Sequence, residues 1–256
     1  RDLGNELFNT EWNPHFVSVD VIINGEYFGN YIWGEKINIG KGRIDIQSIE
    51  DFTEEKIQSG KFVDQNQDGV VDIKDGGYIL ELDARMDAEY CFQTACLASV
   101  TFKDPDVVTD TVYNYVQSFV QEAENVLYSK KFIDPKNGWR KYYDETSVID
   151  WYLMNEIANN RDAKDFSSIY KYYNPVDGKI HFGPNWDFDL GYGNDGEKGV
   201  MEYGKSIGWW VRDGVWVAKM FEDSAFFSNM KARWDDKKSA LNEMINSRLQ
   251  MLADEN

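Results

Sequence analysis

Three carboxylates stand out by type and spacing. Asp162 closes the triplet Asn160-Arg161-Asp162, directly after a stretch with helical periodicity. Asp187 and Asp189 lie two positions apart in Trp186-Asp187-Phe188-Asp189, ahead of the turn-forming Gly191-Tyr192-Gly193-Asn194. Carboxylates two residues apart on an extended segment point the same way. Facing one point, they repel each other unless a cation sits between them. Mg²⁺ (or Mn²⁺) carrying phosphates fits that place, because it takes one or two carboxylates plus phosphate oxygens. Asp162 is then available to act on an incoming hydroxyl. The chemistry these residues imply is phosphoryl transfer. A glycoside-cleaving pair would need carboxyl groups about 5 Å or about 6.5–9.5 Å apart across a cleft, and the tight Asp187/Asp189 spacing suits a metal better. His15 and His181 are too few and too separated for a histidine-based mechanism, and neither a Walker A string nor Gly-x-Ser-x-Gly occurs.

A second acidic set has a different spacing. Residues 64–75 read Asp-Gln-Asn-Gln-Asp-Gly-Val-Val-Asp-Ile-Lys-Asp. On the twelve-residue EF-hand template, Asp64, Asn66 and Asp68 fall at positions 1, 3 and 5. Gly69 takes the sharp turn at 6, Val70 offers its carbonyl at 7, Asp72 stands at 9 and Asp75 at 12. An Asp at the last position resembles the calcium loops of dockerin modules. Gly76-Gly77-Tyr78 leads into a strand instead of a second helix, so the expectation is a structural Ca²⁺ clip within a loop and not a sensor.

The elements that position these residues are legible from periodicity. Phe16 to Ile23 alternates and is β-rich, Asn24-Gly25 is a hairpin turn signal, and residues 27–37 read as the returning strand. Residues 45–61 suggest a short helix and a loop, while Tyr78–Leu82 and Ser99–Lys103 read as strands. Helical spacing begins near Asp110 with Val112, Val116, Val120 and Leu127. A second helix is expected from about Thr146 to Asn159. A hairpin is expected around Asp177-Gly178, and a long amphipathic helix from Ser224 to Ala253. Hairpins come first and helices dominate later, which argues an α+β class. Trp209, Trp210, Trp216 and Phe221 are expected in the core.

Composition narrows the class further. The 256 residues are 42% hydrophobic and 15% aromatic, enough for a sizeable core. No apolar run approaches the ~20 residues a membrane span needs. Acidic residues outnumber basic ones 45 to 27, giving a formal charge of −18; such a surface repels a nucleic-acid backbone. Cys91 and Cys96 match no zinc pattern and read as buried thiols, with a local disulfide the alternative in an oxidising compartment. The chain starts abruptly within a helix-like stretch, Arg1 to Phe8, and shows no signal peptide, so an N-terminal portion is expected to be absent.

The order of these motifs resembles the CotH family, spore-coat and secreted proteins with an atypical protein-kinase-like fold. The segment from Gly25 to Glu35, Gly-Glu-Tyr-Phe-Gly-Asn-Tyr-Ile-Trp-Gly-Glu, is similar to that family's G-x-Y-x-G-x-Y-x-x-x-E signature. Asn160-Arg161-Asp162 is similar to its N-x-D element, and Trp186-Asp187-Phe188-Asp189 to its W-D-x-D element. Gly76–Glu81, Phe102-Lys103-Asp104-Pro105 and Arg233-Trp234 are weaker echoes. The resemblance implies one kinase-like domain over 1–256, with a β-rich part over 1–105 that includes the calcium loop and a helix-rich part over 106–256. It implies Asp162 as the catalytic-loop carboxylate and Asp187, assisted by Asp189, as the Mg²⁺ ligand. Tyr27, Tyr31, Glu35 and Trp186 become the candidates for contact with ATP. Many family members carry an Asn a few residues after N-x-D as a second metal ligand; Phe166-Ser167-Ser168 stands here, making Ser168 the candidate. No lysine precedes the Gly25 hairpin, which leaves Lys36 and Lys103 for the phosphates.

The expected function is therefore that of an exported, ATP- and Mg²⁺-dependent kinase acting on Ser or Thr of secreted or surface proteins, at the cell or spore surface. The alternative from a different class is a non-catalytic, calcium-stabilised module for adhesion or assembly that keeps a kinase-like shape.

Overall fold

The computed structural model describes residues 3–8, 11–194 and 208–255. Its chain begins with one helical turn, Leu3–Leu7, and then a hairpin of β1 (Phe16–Ile23) and β2 (Glu26–Gly34). Asn24 (φ 53°) and Gly25 (φ 86°) make the two-residue connection. A right-twisted hairpin favours positive φ at both turn positions, which Asn-Gly adopts with least strain. The short helix α1 (Glu54–Gln58) follows, with Thr53 capping it by accepting a hydrogen bond from Lys56 N–H.

A five-stranded antiparallel sheet forms the centre. Its strands are β3 (Tyr78–Leu82), β4 (Cys91–Gln93), β5 (Ser99–Asp104), β6 (Ile169–Asn174) and β7 (Lys179–Phe182), in the order β4-β5-β3-β6-β7. All five residues of β3 are buried, as a central strand covered on both faces requires. The sheet draws strands from both sides of position 105, since β3 pairs with β6 in the register Glu81 to Tyr170. Strand β4 is only three residues long, too short to show alternation in sequence.

Strand alternation sorts the side chains onto two faces. Tyr78, Leu80, Leu82, Ile169, Tyr173 and Phe182 join the main core. Helices α2 (Asp110–Leu127), α3 (Glu145–Ala158), α4 (Val217–Met220) and α5 (Ser224–Glu255) contribute Val116, Tyr152, Met220 and Phe226 to it. Ile79, Tyr170 and Tyr172 turn the other way, onto Trp12, Ile37, Ile44 and Trp186. Helix α5 is tied to α3 by Arg233, whose Nε and Nη2 donate to the two oxygens of buried Asp150, both at 2.8 Å. Such a two-point pair is geometrically specific. No helix among the described residues is long and apolar enough to cross a membrane.

Three expectations change. Cys91 is half-buried, Cys96 is exposed, and neither is bonded; Cys96 sits in the turn after β4, outside the packed layers. Trp216 is core, but Trp209 is 59% exposed. With Trp210, Phe227 and Trp234 it lines an apolar groove of about 670 Å³.

Among the buried charged residues that the sequence patterns did not single out is a lysine. Lys171, on β6, is 2% exposed. Its Nζ has no hydrogen-bond partner and lies 4.3 Å from the Phe182 ring centre, 5.5 Å from Trp216 and 5.8 Å from Trp151. Burial pushes its pKa down to about 7, with Asp165 and Glu81 opposing the shift. The unfolded chain holds that proton up to about 10.4, so between these values unfolding takes up a proton and stability rises with pH. Lys171→Met should be more stable than wild type at pH 7. Urea midpoints measured from pH 7 to 9.5 should climb in the wild type and stay flat in the variant; parallel profiles would mean that the amine is not neutralised.

Candidate active site

Helix α3 starts at an Asp144 cap, which accepts a hydrogen bond from Ser147 N–H. It ends at Asn159 in the left-handed conformation, φ 52°. That reversal brings Asn160 beneath the helix end and Asp162 into the single 3₁₀ turn Arg161–Ala163. Asn160 is 2% exposed. Its Nδ2 donates to Asn155 Oδ1 (3.0 Å) and to the Asp187 backbone carbonyl (3.3 Å). A few residues on, Tyr192 N–H donates to the Ala158 carbonyl at 2.5 Å. Gly191 permits this approach, because a Cβ there would stand 3.0 Å from the Phe188 carbonyl oxygen and 3.2 Å from that of Ala158. On the other side, Asn185 N–H donates to Asn13 Oδ1 (2.9 Å). The N-x-D and W-D-x-D stretches are thus latched to one another.

The W-D-x-D stretch is not a strand. Residues 183–188 are irregular, and Asp187 takes φ 59°, a region in which Asp is among the better tolerated residues. Strand alternation therefore does not explain why the carboxylates converge; the turn does. Asp189 lies close enough to Asp187 to feel its charge. Ser168, itself at φ 61°, donates its Oγ–H to Asp187 Oδ2 at 3.0 Å. Burial pushes the Asp162 carboxyl above the usual range, with Arg161 opposing and the charge of Asp187 adding to the rise. Burial likewise raises Asp189, followed by the charge of Asp187. The three carboxyl groups share one neighbourhood.

Residues from the sheet complete the surroundings. Glu81, 2% exposed, accepts from Ser168 N–H through Oε1 (2.7 Å). Its Oε2 lies 3.0 Å from Lys103 Nζ. Lys36, the other lysine candidate, is exposed and pairs at 3.8 Å with exposed Asp106. Trp186 stands between Phe16 at the hairpin base (5.4 Å) and Tyr170 (6.3 Å). Glu81 was not among the sequence candidates. The available signal was a single acid in the otherwise apolar Tyr78-Ile79-Leu80-Glu81-Leu82.

The hairpin candidates make their hydrogen bonds within the hairpin region. Tyr27 is 65% exposed and donates its hydroxyl to Asp20 at 3.0 Å. Tyr31 is half-exposed on the same hairpin. Glu35 accepts from the His15 backbone N–H (2.8 Å) and pairs with its ring (2.7 Å), and these bonds hold its carboxyl below the usual range.

The 64–75 loop takes its turn at Gly69, φ 90°. Its oxygens face backbone N–H groups: Asp64 accepts from Gly69, Asn66 from Asp68, Asp68 from Val70, and Asp72 from Lys74. Asp75 is fully buried and accepts from Gln65, Asn66 and Asp72. Val70 is exposed. Among the described residues no three Asp, Glu, His or Cys side chains converge closely enough to hold a metal ion by themselves, in this loop or around Asp187. The backbone N–H bonds shape the loop and leave Asp64 Oδ1 buried without a hydrogen-bond partner.

Residues 12–255 match the model of the family described as CotH kinase protein. The chain belongs to the CotH family. No curated protein matches it in sequence. The mixed sheet-and-helix architecture fits a kinase-like CotH protein, and the two motifs that the fold latches together fall within the matched stretch.

In this CotH protein the crowded carboxylates oppose folding at neutral pH. A carboxyl raised above its unfolded value of 3.8 is held protonated more readily by the folded state, so its contribution to stability falls as pH rises through that window. Asp189→Asn removes the fall. The variant should be modestly more stable than wild type at pH 7, with the difference fading towards pH 3 in paired urea titrations. A variant less stable at pH 7 would make Asp189 a structural anchor.

Proposed function

We propose that the protein is an exported protein kinase that transfers the γ-phosphoryl group of ATP to Ser or Thr of proteins at the cell or spore surface. The observation that carries this reading is the Asn160 bond to the Asp187 backbone, which sets Asp162 beside Asp187 and Asp189. Asp187, with Asp189 and Ser168 beside it, would hold Mg²⁺ or Mn²⁺. All three offer hard oxygen donors, and the mutual repulsion of the carboxylates favours a cation among them. Mg²⁺ commonly takes one or two carboxylates and leaves other positions to phosphate and water. The ion supplies charge neutralisation on the phosphates when bound.

The chain's own residues do the rest. Asp162 orients the acceptor hydroxyl and takes its proton, a role that suits a carboxyl raised above its usual range. Lys103, fixed by Glu81, faces the phosphates as a point charge. Trp186 walls the base. Tyr27, Tyr31 and Glu35 stay with the hairpin as candidates for covering the nucleotide. Catalysis on this plan is positioning and electrostatics, which phosphoryl transfer mainly needs.

Melting temperature with ATP and Mg²⁺ tests the site. Wild type should shift upward and Asp187→Ala should not. Asp162→Ala should keep the shift yet lose about 10²–10⁴ in transfer rate. A wild type indifferent to nucleotide would end the kinase reading.

The 64–75 loop is proposed to bind Ca²⁺ through Asp64, Asn66, Asp68, the Val70 carbonyl, Asp72 and Asp75. Supporting this are the Gly69 turn and Asp64 Oδ1, which is buried without a hydrogen-bond partner. Millimolar Ca²⁺ should raise the melting temperature of wild type and leave Asp68→Ala unmoved. Equal behaviour of the two proteins would remove the loop from the account.

A further inference from the structure

A second cation stands in a turn that is bonded to the loop carrying Asp162. Strand β3 runs out of Glu81 and Leu82 into a turn, Asp83-Ala84-Arg85. Asp83 is 5% exposed. It accepts from Arg85 Nε at 2.8 Å and Nη2 at 3.1 Å, and its Oδ1 also accepts Arg85 N–H at 3.1 Å. Both the backbone and the side chain of Arg85 are therefore aimed by one buried carboxylate. The pair uses only one edge of the guanidinium and does not involve Nη1. The Arg85 side chain remains 51% exposed.

This turn is fastened to the loop carrying the other site residues. Ala84 N–H donates to the Phe166 carbonyl (2.7 Å), and Phe166 N–H donates to the Asp162 carbonyl (3.1 Å). Two backbone hydrogen bonds thus separate Arg85's neighbour from Asp162. Glu81, two residues before Asp83, holds Ser168 N–H and Lys103. The Tyr170 phenol feels both Asp187 and Arg85. Lys103, paired with Glu81, and Arg85, paired with Asp83, are thus two cations fixed beside the loop that carries Asp162 and Ser168.

An exposed Arg–Asp pair two residues apart contributes little to stability. A buried carboxylate that fixes a half-exposed guanidinium instead yields a planar donor with a preset direction, the geometry that recognises phosphate oxygens. We infer that Arg85 contacts the phosphoryl group being transferred, with Asp83 as its positioning residue. The inference rests on the kinase reading above. In that transfer the acceptor oxygen forms its bond to the γ-phosphorus as the bond to the β,γ-bridging oxygen breaks. ADP departs with that electron pair, and the acceptor proton passes to Asp162. Arg85 donates N–H groups to the equatorial phosphoryl oxygens, whose charge must be held through the transition.

The probe is ADP–Mg²⁺ with and without aluminium fluoride, a mimic of the phosphoryl group in flight, followed by calorimetry on the whole chain. Wild type should bind the fluoride complex more tightly than ADP–Mg²⁺. Arg85→Ala should lose that preference by about tenfold or more, while binding ADP–Mg²⁺ within about threefold of wild type. Arg85→Lys should recover part of it. Asp83→Asn should fall between, with unchanged melting temperature confirming an intact turn. If wild type shows the preference and Arg85→Ala keeps it, the assignment of Arg85 fails and the kinase reading stands. A wild type that binds neither complex overturns both.

Discussion

A neutral amide holds this site of charges together. Asn160 reaches from the end of α3 to the Asp187 backbone, and through it a helix terminus and an irregular segment are brought to one place. The acidic groups they carry repel one another, and the charge of Asp187 adds to the rise that burial gives the Asp162 and Asp189 carboxyls. Something other than their own attraction must therefore hold them. The amide does so because it is buried, and a buried donor resists separation from its acceptor by the penalty of leaving it unpaired. The Tyr192 bond to Ala158 and the Asn13 bond to Asn185 act in the same direction. With three separate attachments, the segment keeps Asp187 in a left-handed conformation that the chain would otherwise visit rarely.

The sheet supplies the opposite wall by a related device. Glu81 is an acid in the middle of a fully buried strand, and burial of such a group is tolerable only when it is paired. Its Oε1 accepts from Ser168 N–H and its Oε2 keeps an ion pair with Lys103 without a well-aligned hydrogen bond, so the bond that offsets Glu81's burial also fixes a residue that touches Asp187. Folding the core and shaping the site are here the same event. Lys171 is the exception, a buried amine among aromatic rings with no hydrogen-bond acceptor of its own.

Much of the architecture was legible because it rests on local chemistry. The Asn24-Gly25 turn, the alternation of β1, and the Val112, Val116, Val120 spacing of α2 each encode an element within a short window. Strand β4 was missed because three residues cannot display a period. The exposure of Trp209 was missed because composition does not say which tryptophan the core will take. At the site, Asp162, Asp187 and Asp189 were found by type and spacing and Ser168 through the family resemblance, and Ser168 bonds to Asp187 in the structure. The expected geometry was nevertheless different: the two carboxylates of W-D-x-D meet across a left-handed turn and not along an extended strand.

The sequence by itself determined which residues are able to do chemistry, and it gave the order of motifs that places the chain in the CotH family. Side-chain type and local backbone preference are properties of short stretches, and they survive in a string of letters. Only the tertiary structure decided that Glu81 takes Ser168 N–H and Lys103 as its partners, and that Tyr27 and Glu35 bond within the hairpin region. The Glu81 contacts depend on the pairing of β3 with β5 and β6. They join residues far apart in the chain, whose partners no local pattern specifies.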